Sequence, residues 1–165
     1  MSLSLSPPRI DYSQQAPALL QKYFDFSMAI GRDGSVEQGL LHLIEIRASQ
    51  MNGCAFCVDM HVKQAHLHKE GALRLHHVAI WHESPLFSAR ERAALAWTEA
   101  LTRLPVGGVP DALYEQVREH FTEQEITVLT LQIMAINGWN RISVAFRTKP
   151  GSKDKAFGLD KSGLS

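Results

Sequence analysis

The chain has 165 residues, with 17 Lys plus Arg against 17 Asp plus Glu, so its formal net charge is zero. At 45% hydrophobic and 21% charged residues it has the balance of one globular domain, long enough to bury a core without disulfide staples. The neutral balance gives no support for a nucleic-acid or acidic-membrane surface as the main role. No run is long enough to span a bilayer, and the first residues lack the pattern of a signal peptide, which predicts a cytoplasmic protein.

Residues 1–16 are rich in Ser, Pro and Gln and are expected to form an N-terminal arm. Pro17 suits the first position of a helix, where its missing N–H costs nothing. It opens a helical domain expected to run to residue 147. The first helix carries Leu19, Leu20, Tyr23, Phe24 and Met28 at helical spacing. Three capping boxes, each a hydroxyl followed three residues later by Glu or Gln, mark further helix starts: Ser35 with Gln38, Ser88 with Glu91, and Thr122 with Glu125. The first precedes LLHLIEIRAS, where Leu40, Leu43, Ile44 and Ile46 are expected to face inward. Asn52 and Gly53 interrupt that helix. A new one is predicted from near Cys54 to Gly71, a C-cap candidate, and a short one follows before Pro85. Ala89 to Leu101 is rich in strong helix formers. Pro110 opens a helix with Leu113, Val117 and Phe121, and the last long helix spans about Glu123 to Asn137, with WNRISVAF able to extend it. No strand alternation outlasts the helical pattern. The tail, 148–165, is polar, basic and Gly-rich, and is expected to be mobile unless its Phe and Leu side chains dock on a partner subunit. The expected fold is therefore all-α, about six or seven amphipathic helices packed on one another.

Both cysteines of the chain lie in NGCAFCVDMH, Asn52 to His61. On a helix, Cys54, Cys57 and His61 share one face. A cysteine at the helix N-terminus sits among free N–H groups and the positive end of the helix dipole, which favour the reactive thiolate. His61, four residues past Cys57, is placed to take its proton. The spacing therefore favours Cys57 as a peroxide-attacking thiol and Cys54 as the thiol that resolves the sulfenic acid to a disulfide, which an external dithiol resets. Glu45 stands between Ile44 and Ile46. Buried near the thiols it would have a raised pKa and could shuttle protons; the alternative is an ion pair with Arg47 or another base. His66 and His68 fall in a solvated His-rich stretch. Zinc remains an alternative, since His42, His77 or His82 could complete a site, although a Cys-x-x-Cys pair usually works with a second pair. Two inert buried thiols are a third reading. Trp81, Phe87, Trp97 and Trp139 are candidates for an apolar pocket or for core, and Asn137 and Asn140 for a backbone turn or a substrate contact.

The run EIRASQMNGCAFCVDMH, Glu45 to His61, resembles the core motif of the AhpD-like, carboxymuconolactone decarboxylase superfamily. ERAALAWTEALT, Glu91 to Thr102, and INGWNR, Ile136 to Arg141, are also similar to its AhpD-core branch. The resemblance covers roughly Leu20 to Arg147. It implies an all-helical AhpD-like fold, a homo-oligomer (trimer or hexamer) and a thiol-dependent alkyl hydroperoxidase activity, with a small-molecule hydroperoxide as substrate, a dithiol as reductant and no cofactor. It implies the same roles for Cys57, Cys54 and His61, with a glutamate completing the proton relay. The spacing of that glutamate falls here on His42, while Glu45 belongs to the related EIRAS-type motif. A histidine between the two cysteines in AhpD is replaced here by Phe56. Two alternatives stand beside the peroxidase: a redox-sensing binding protein without turnover, and a carboxymuconolactone decarboxylase-like enzyme, although the decarboxylase arm of the superfamily needs no Cys-x-x-Cys pair.

Overall fold

The computed structural model describes residues 6–164. Residues 1–5 of the expected arm, and Ser165, lie outside the described residues. Among those described there are nine α-helices and no strand. They are α1 (Tyr12–Gln15), α2 (Pro17–Asp33), α3 (Gln38–Met51), α4 (Ala55–Leu67), α5 (Ala72–His77), α6 (Ala89–Thr102), α7 (Asp111–Arg118), α8 (Glu123–Phe146) and α9 (Asp154–Phe157). Two 3₁₀ turns, Val78–Ile80 and Leu159–Ser162, complete the set. The all-α expectation holds. The two four-residue helices, in the arm and the tail, account for the excess over the six or seven expected.

The centre of the molecule is α3, packed by α4, α6 and α8. A helix covered on several sides must be apolar on several sides, and Leu40, Leu41, Leu43, Ile44, Ile46 and Ala48 are all buried. Two of the three capping boxes form, at Ser88–Glu91 and Thr122–Glu125. The third does not. Ser35 is drawn back onto the carboxylate of Asp33, which its own backbone N–H and hydroxyl both reach, so Glu37 takes the N-cap position of α3. The helix predicted to reach Gly71 stops at Leu67. Lys69 turns the chain with a positive φ of 64°, and Gly71 instead precedes α5 as its N-cap. At the other end of the chain the last helix runs unbroken to Phe146, absorbing the whole of WNRISVAF.

On α2 the expected inward stripe is turned mostly outward: Leu19 is 72% exposed, while Phe24 and Met28 are 37% and 38% exposed. Leu20 and Tyr23 of that stripe are half-buried, and Phe26 and Ile30, which it did not include, complete the inner face. Tyr23 lies across Gly138 of α8 and donates to the carbonyl of Ala135 at 2.7 Å. A Cβ at position 138 would run into the phenol, so α2 and α8 approach this closely only over glycine. The tail expected to be mobile folds back on α4 of its own chain. Lys63, buried on α4, pairs with Asp59 at 2.9 Å and with Asp154 of α9 at 2.7 Å, and Gly151 N–H donates to Asp59. Leu159 is buried as the apolar anchor of this tail. Its burial, with the charge pairing, offsets the chain entropy that its polar, Gly-rich composition foretold would win.

Candidate active site

The turn between α3 and α4 presents the cysteines. Gly53 adopts a φ of 65°, a conformation an L side chain rarely takes, and the chain then enters α4 with Cys54 as its N-cap. Three asparagines hold this turn. Asn52 donates from Nδ2 to Oδ1 of Asn137 and of Asn140, each at 2.9 Å. Asn140, completely buried, donates in turn to Ser49, and Asn137 to Thr102. The two α8 asparagines therefore fix the backbone ahead of Cys54, the turn role of the two weighed from sequence.

Cys54 and Cys57 are joined in a disulfide, their Cα atoms 5.3 Å apart. Both are buried in a small cluster with Phe56, against which Met60 packs. Cys54 Sγ also accepts the N–H of Cys57 at 3.2 Å, using one of the N–H groups that the start of a helix leaves without a partner.

One turn further along α4, His61 is buried and meets Glu45 of α3, with Nδ1 3.1 Å from Oε2. His42 reaches the same Oε2 from its Nδ1 at 3.2 Å, and Gln132 of α8 donates to Oε1 at 2.6 Å. Glu45 is thus the meeting point of three helices. It does not pair with Arg47, whose partner is Glu99 at 2.7 Å. The expectation of a raised Glu45 pKa is corrected. Burial does push its carboxyl up, but the charge of His61 and the bonds from His42 and His61 outweigh this and hold it at about 2, below its ordinary 4.5. Glu45 is a fixed anion rather than a neutral acid.

Nδ1 of His61 also lies 2.9 Å from Gln64 Oε1, an oxygen that only accepts, so Nδ1 carries a proton. Nε2 of His61 is buried without any partner. It is the one nitrogen of this histidine free to accept a proton from elsewhere. Away from the thiols, His42 Nε2 lies 2.6 Å from Nδ1 of His68. His68 is exposed, and together with His42, Lys69 and Glu70 it lines a cavity of about 530 Å³. The histidine expected to be plain surface therefore ends a hydrogen-bonded chain, His61–Glu45–His42–His68, that runs from the interior to solvent.

Sequence reasoning missed His68, Gln64 and Gln132. Gln132 had a signal, being polar within the apolar stretch LTLQIM of a long helix. Gln64 had the i,i+3 spacing from His61 on one helix, and His68 had none, since its partner comes from the fold. The aromatic candidates do not form a pocket at the thiols. Trp81 donates to Glu99, Trp97 to Thr130 and Trp139 to Ser27, while Phe87 is buried core. A second cavity, of about 300 Å³, does lie against the disulfide, walled by the first turn of α4 and the C-terminal end of α8. Among the described residues no group of three or more His, Cys, Asp or Glu side chains is arranged to hold a metal ion, and no helix is long and apolar enough to cross a membrane.

The carboxymuconolactone decarboxylase family model matches residues 17–100, from the start of α2 through most of α6. An uncharacterised Bacillus subtilis (strain 168) protein, YdfG, is 40% identical over 145 residues, covering 88% of this chain and 98% of its own. A crystal structure from Agrobacterium tumefaciens, of a protein of unknown function suggested to be the antioxidant defence protein AhpD, superposes with a TM-score of 0.83 at 39% identity over 87% of this chain and 98% of that one. An AhpD-core peroxidase-related protein from Ralstonia eutropha JMP134 shares the fold at a TM-score of 0.77 and 22% identity, covering 86% of this chain and 75% of its own. With its disulfide at the head of α4 and its all-helical fold, the chain belongs to the AhpD-like, carboxymuconolactone decarboxylase superfamily.

Proposed function

We propose that the protein is a thiol-dependent hydroperoxide reductase that cycles Cys54 and Cys57 between dithiol and disulfide. The observation that carries this reading is the disulfide itself, seated at the start of α4 one turn from a buried histidine with a free Nε2. In the reduced protein, His61 Nε2 takes the Cys57 proton, and Glu45 stabilises the resulting imidazolium. The Cys57 thiolate attacks the terminal peroxide oxygen. The O–O bond breaks, an S–O bond forms, and the alkoxide leaves as the alcohol after taking a proton. Cys54 then attacks the sulfenic sulfur of Cys57, and the hydroxyl leaves as water. An external dithiol returns two electrons and regenerates both thiols. Glu45, anionic at rest, takes a proton only in transit between His61 and His42, and His68 exchanges it with solvent.

The reading extends to a homo-oligomer, trimer or hexamer. The apolar side chains that α2 leaves exposed support it, and light scattering of the purified protein tests it.

The activity test starts from fully reduced protein under anaerobic conditions. One equivalent of an organic hydroperoxide should remove two hydrogens from the intact mass, mapped to Cys54 and Cys57. With excess small dithiol, many equivalents should then be consumed. An unchanged mass sinks the peroxidase reading. A single turnover that does not repeat points to an oxidant sensor instead. Cys57→Ser should not react at all, and Cys54→Ser should stop at a sulfenic acid on Cys57.

A further inference from the structure

The dithiol cycle requires that a reductant reach one of two buried sulfurs. The cavity of about 300 Å³ beside the disulfide answers which one, because Cys54 forms part of its wall and Cys57 does not. Phe56, Val144 and Pro150 give that wall an apolar portion. Arg147 and Lys149 give it two cations, both exposed, and no carboxylate side chain lines it. Neither cation forms an ion pair among the described residues. Arg147 ends α8 with a φ of 58°, so the chain turns there and carries Lys149 to the same cavity.

We propose that this cavity admits a low-molecular-weight thiol bearing a negative charge, and that Cys54 is the sulfur it attacks. This names the reductant for the cycle proposed above and rests on that reading for its purpose, although the exchange step needs no peroxide. The incoming thiolate forms a new S–S bond to Cys54. The Cys54–Cys57 bond breaks, and Cys57 leaves with the electron pair as a thiolate, one turn from His61. A second thiolate, from the same molecule if it is a dithiol, attacks the ligand sulfur of the mixed disulfide. Cys54 is released as a thiolate, and the ligand departs as its disulfide, two electrons poorer. The apolar wall takes the carbon chain of the thiol, and Arg147 and Lys149 take its carboxylate or other anion. A cavity of this size suits a small molecule better than the broad face of a protein dithiol.

The test uses the oxidised full-length protein and three probes: mercaptoacetate, mercaptoethanol and cysteamine, which are anionic, neutral and cationic. Disulfide loss is followed by acid quench, alkylation and intact mass. Each rate is expressed per thiolate and divided by its rate on a neutral model disulfide. The anion should exceed the cation by about tenfold at low salt, with the ratio shrinking as salt rises. Lys149→Gln with Arg147→Gln should bring the ratio close to one, and Lys149→Glu alone, at an exposed turn position, should lower it. Peptide mapping of the quenched wild-type reaction should find the mixed disulfide on Cys54 and the alkyl group on Cys57. A mixed disulfide on Cys57, or a charge ratio that neither salt nor the substitutions move, overturns the proposal. So does a protein dithiol far faster than every small thiol when those show no charge preference. If the charge preference holds but no hydroperoxide is reduced, the anionic-thiol site stands and the peroxidase reading falls.

Discussion

Glu45→Gln removes one charge from the meeting point of α3, α4 and α8 while keeping the shape of the side chain. The wild-type carboxyl is held at about 2 against an ordinary 4.5, with its side chain 14% exposed. A depressed carboxyl stabilises the fold fully above its unfolded value and loses that contribution as pH falls through its folded value. The displacement amounts to about 3 kcal/mol, of which about 2 kcal/mol should disappear between about pH 5 and about pH 3. Other carboxylates are lowered too, Glu91 and Glu99 among them, so wild-type stability falls in acid for several reasons. The informative quantity is the difference. Urea unfolding followed by circular dichroism, at both pH values, should show wild type losing about 2 kcal/mol more than Glu45→Gln over that interval. Equal losses in the two proteins would refute the fixed-anion account of Glu45. They would also remove the electrostatic support given to the His61 imidazolium in the proposed mechanism.

Three further outcomes are expected. Gly138→Ala should cost about 1–3 kcal/mol by urea unfolding, because its Cβ would lie 2.8 Å from Cζ of Tyr23 and closer still to the hydroxyl; combining it with Tyr23→Phe should cost less than the two single changes added together. Asn140→Ala should destabilise by about 1–3 kcal/mol, because Asn52 loses one of its two acceptors and the buried Ser49 hydroxyl loses a partner, and amide exchange at Gly53 should speed up beyond any global change. His68→Ala should leave the fold intact but slow peroxide turnover, with imidazole added to the assay restoring part of the rate; turnover untouched by either change would end the role of His68 as the surface terminus of the relay.

Local structure and the cysteine pair were legible in the residues themselves. Apolar spacing marked the helices, and two of its three capping boxes were real because the hydroxyl and the carboxylate that make a box lie within four residues of each other. Asn52–Gly53 before Cys54 was enough to place the helix start, because glycine takes a positive φ without the steric cost of a Cβ. Cys54, Cys57 and His61 were legible because one helix carries all three. Short-range competition could still mislead: Asp33, two residues upstream, captured Ser35 from its box. The rest of the site depends on how the helices pack. Glu45 looked like a carboxyl that burial would neutralise, yet its ionisation depends on His61 from a second helix as well as on His42 from its own. Gln132 is recruited to it across 87 positions of sequence, and His68 to His42 across 26. The same holds for the tail, whose composition argued for mobility until Lys63 and Asp154 were brought together from 91 residues apart. Helix formation is a sum of local preferences that neighbouring residues express without help. Charge state and pairing depend on which surfaces the packed helices bring within a few ångströms, and no local pattern in the chain encodes that distance.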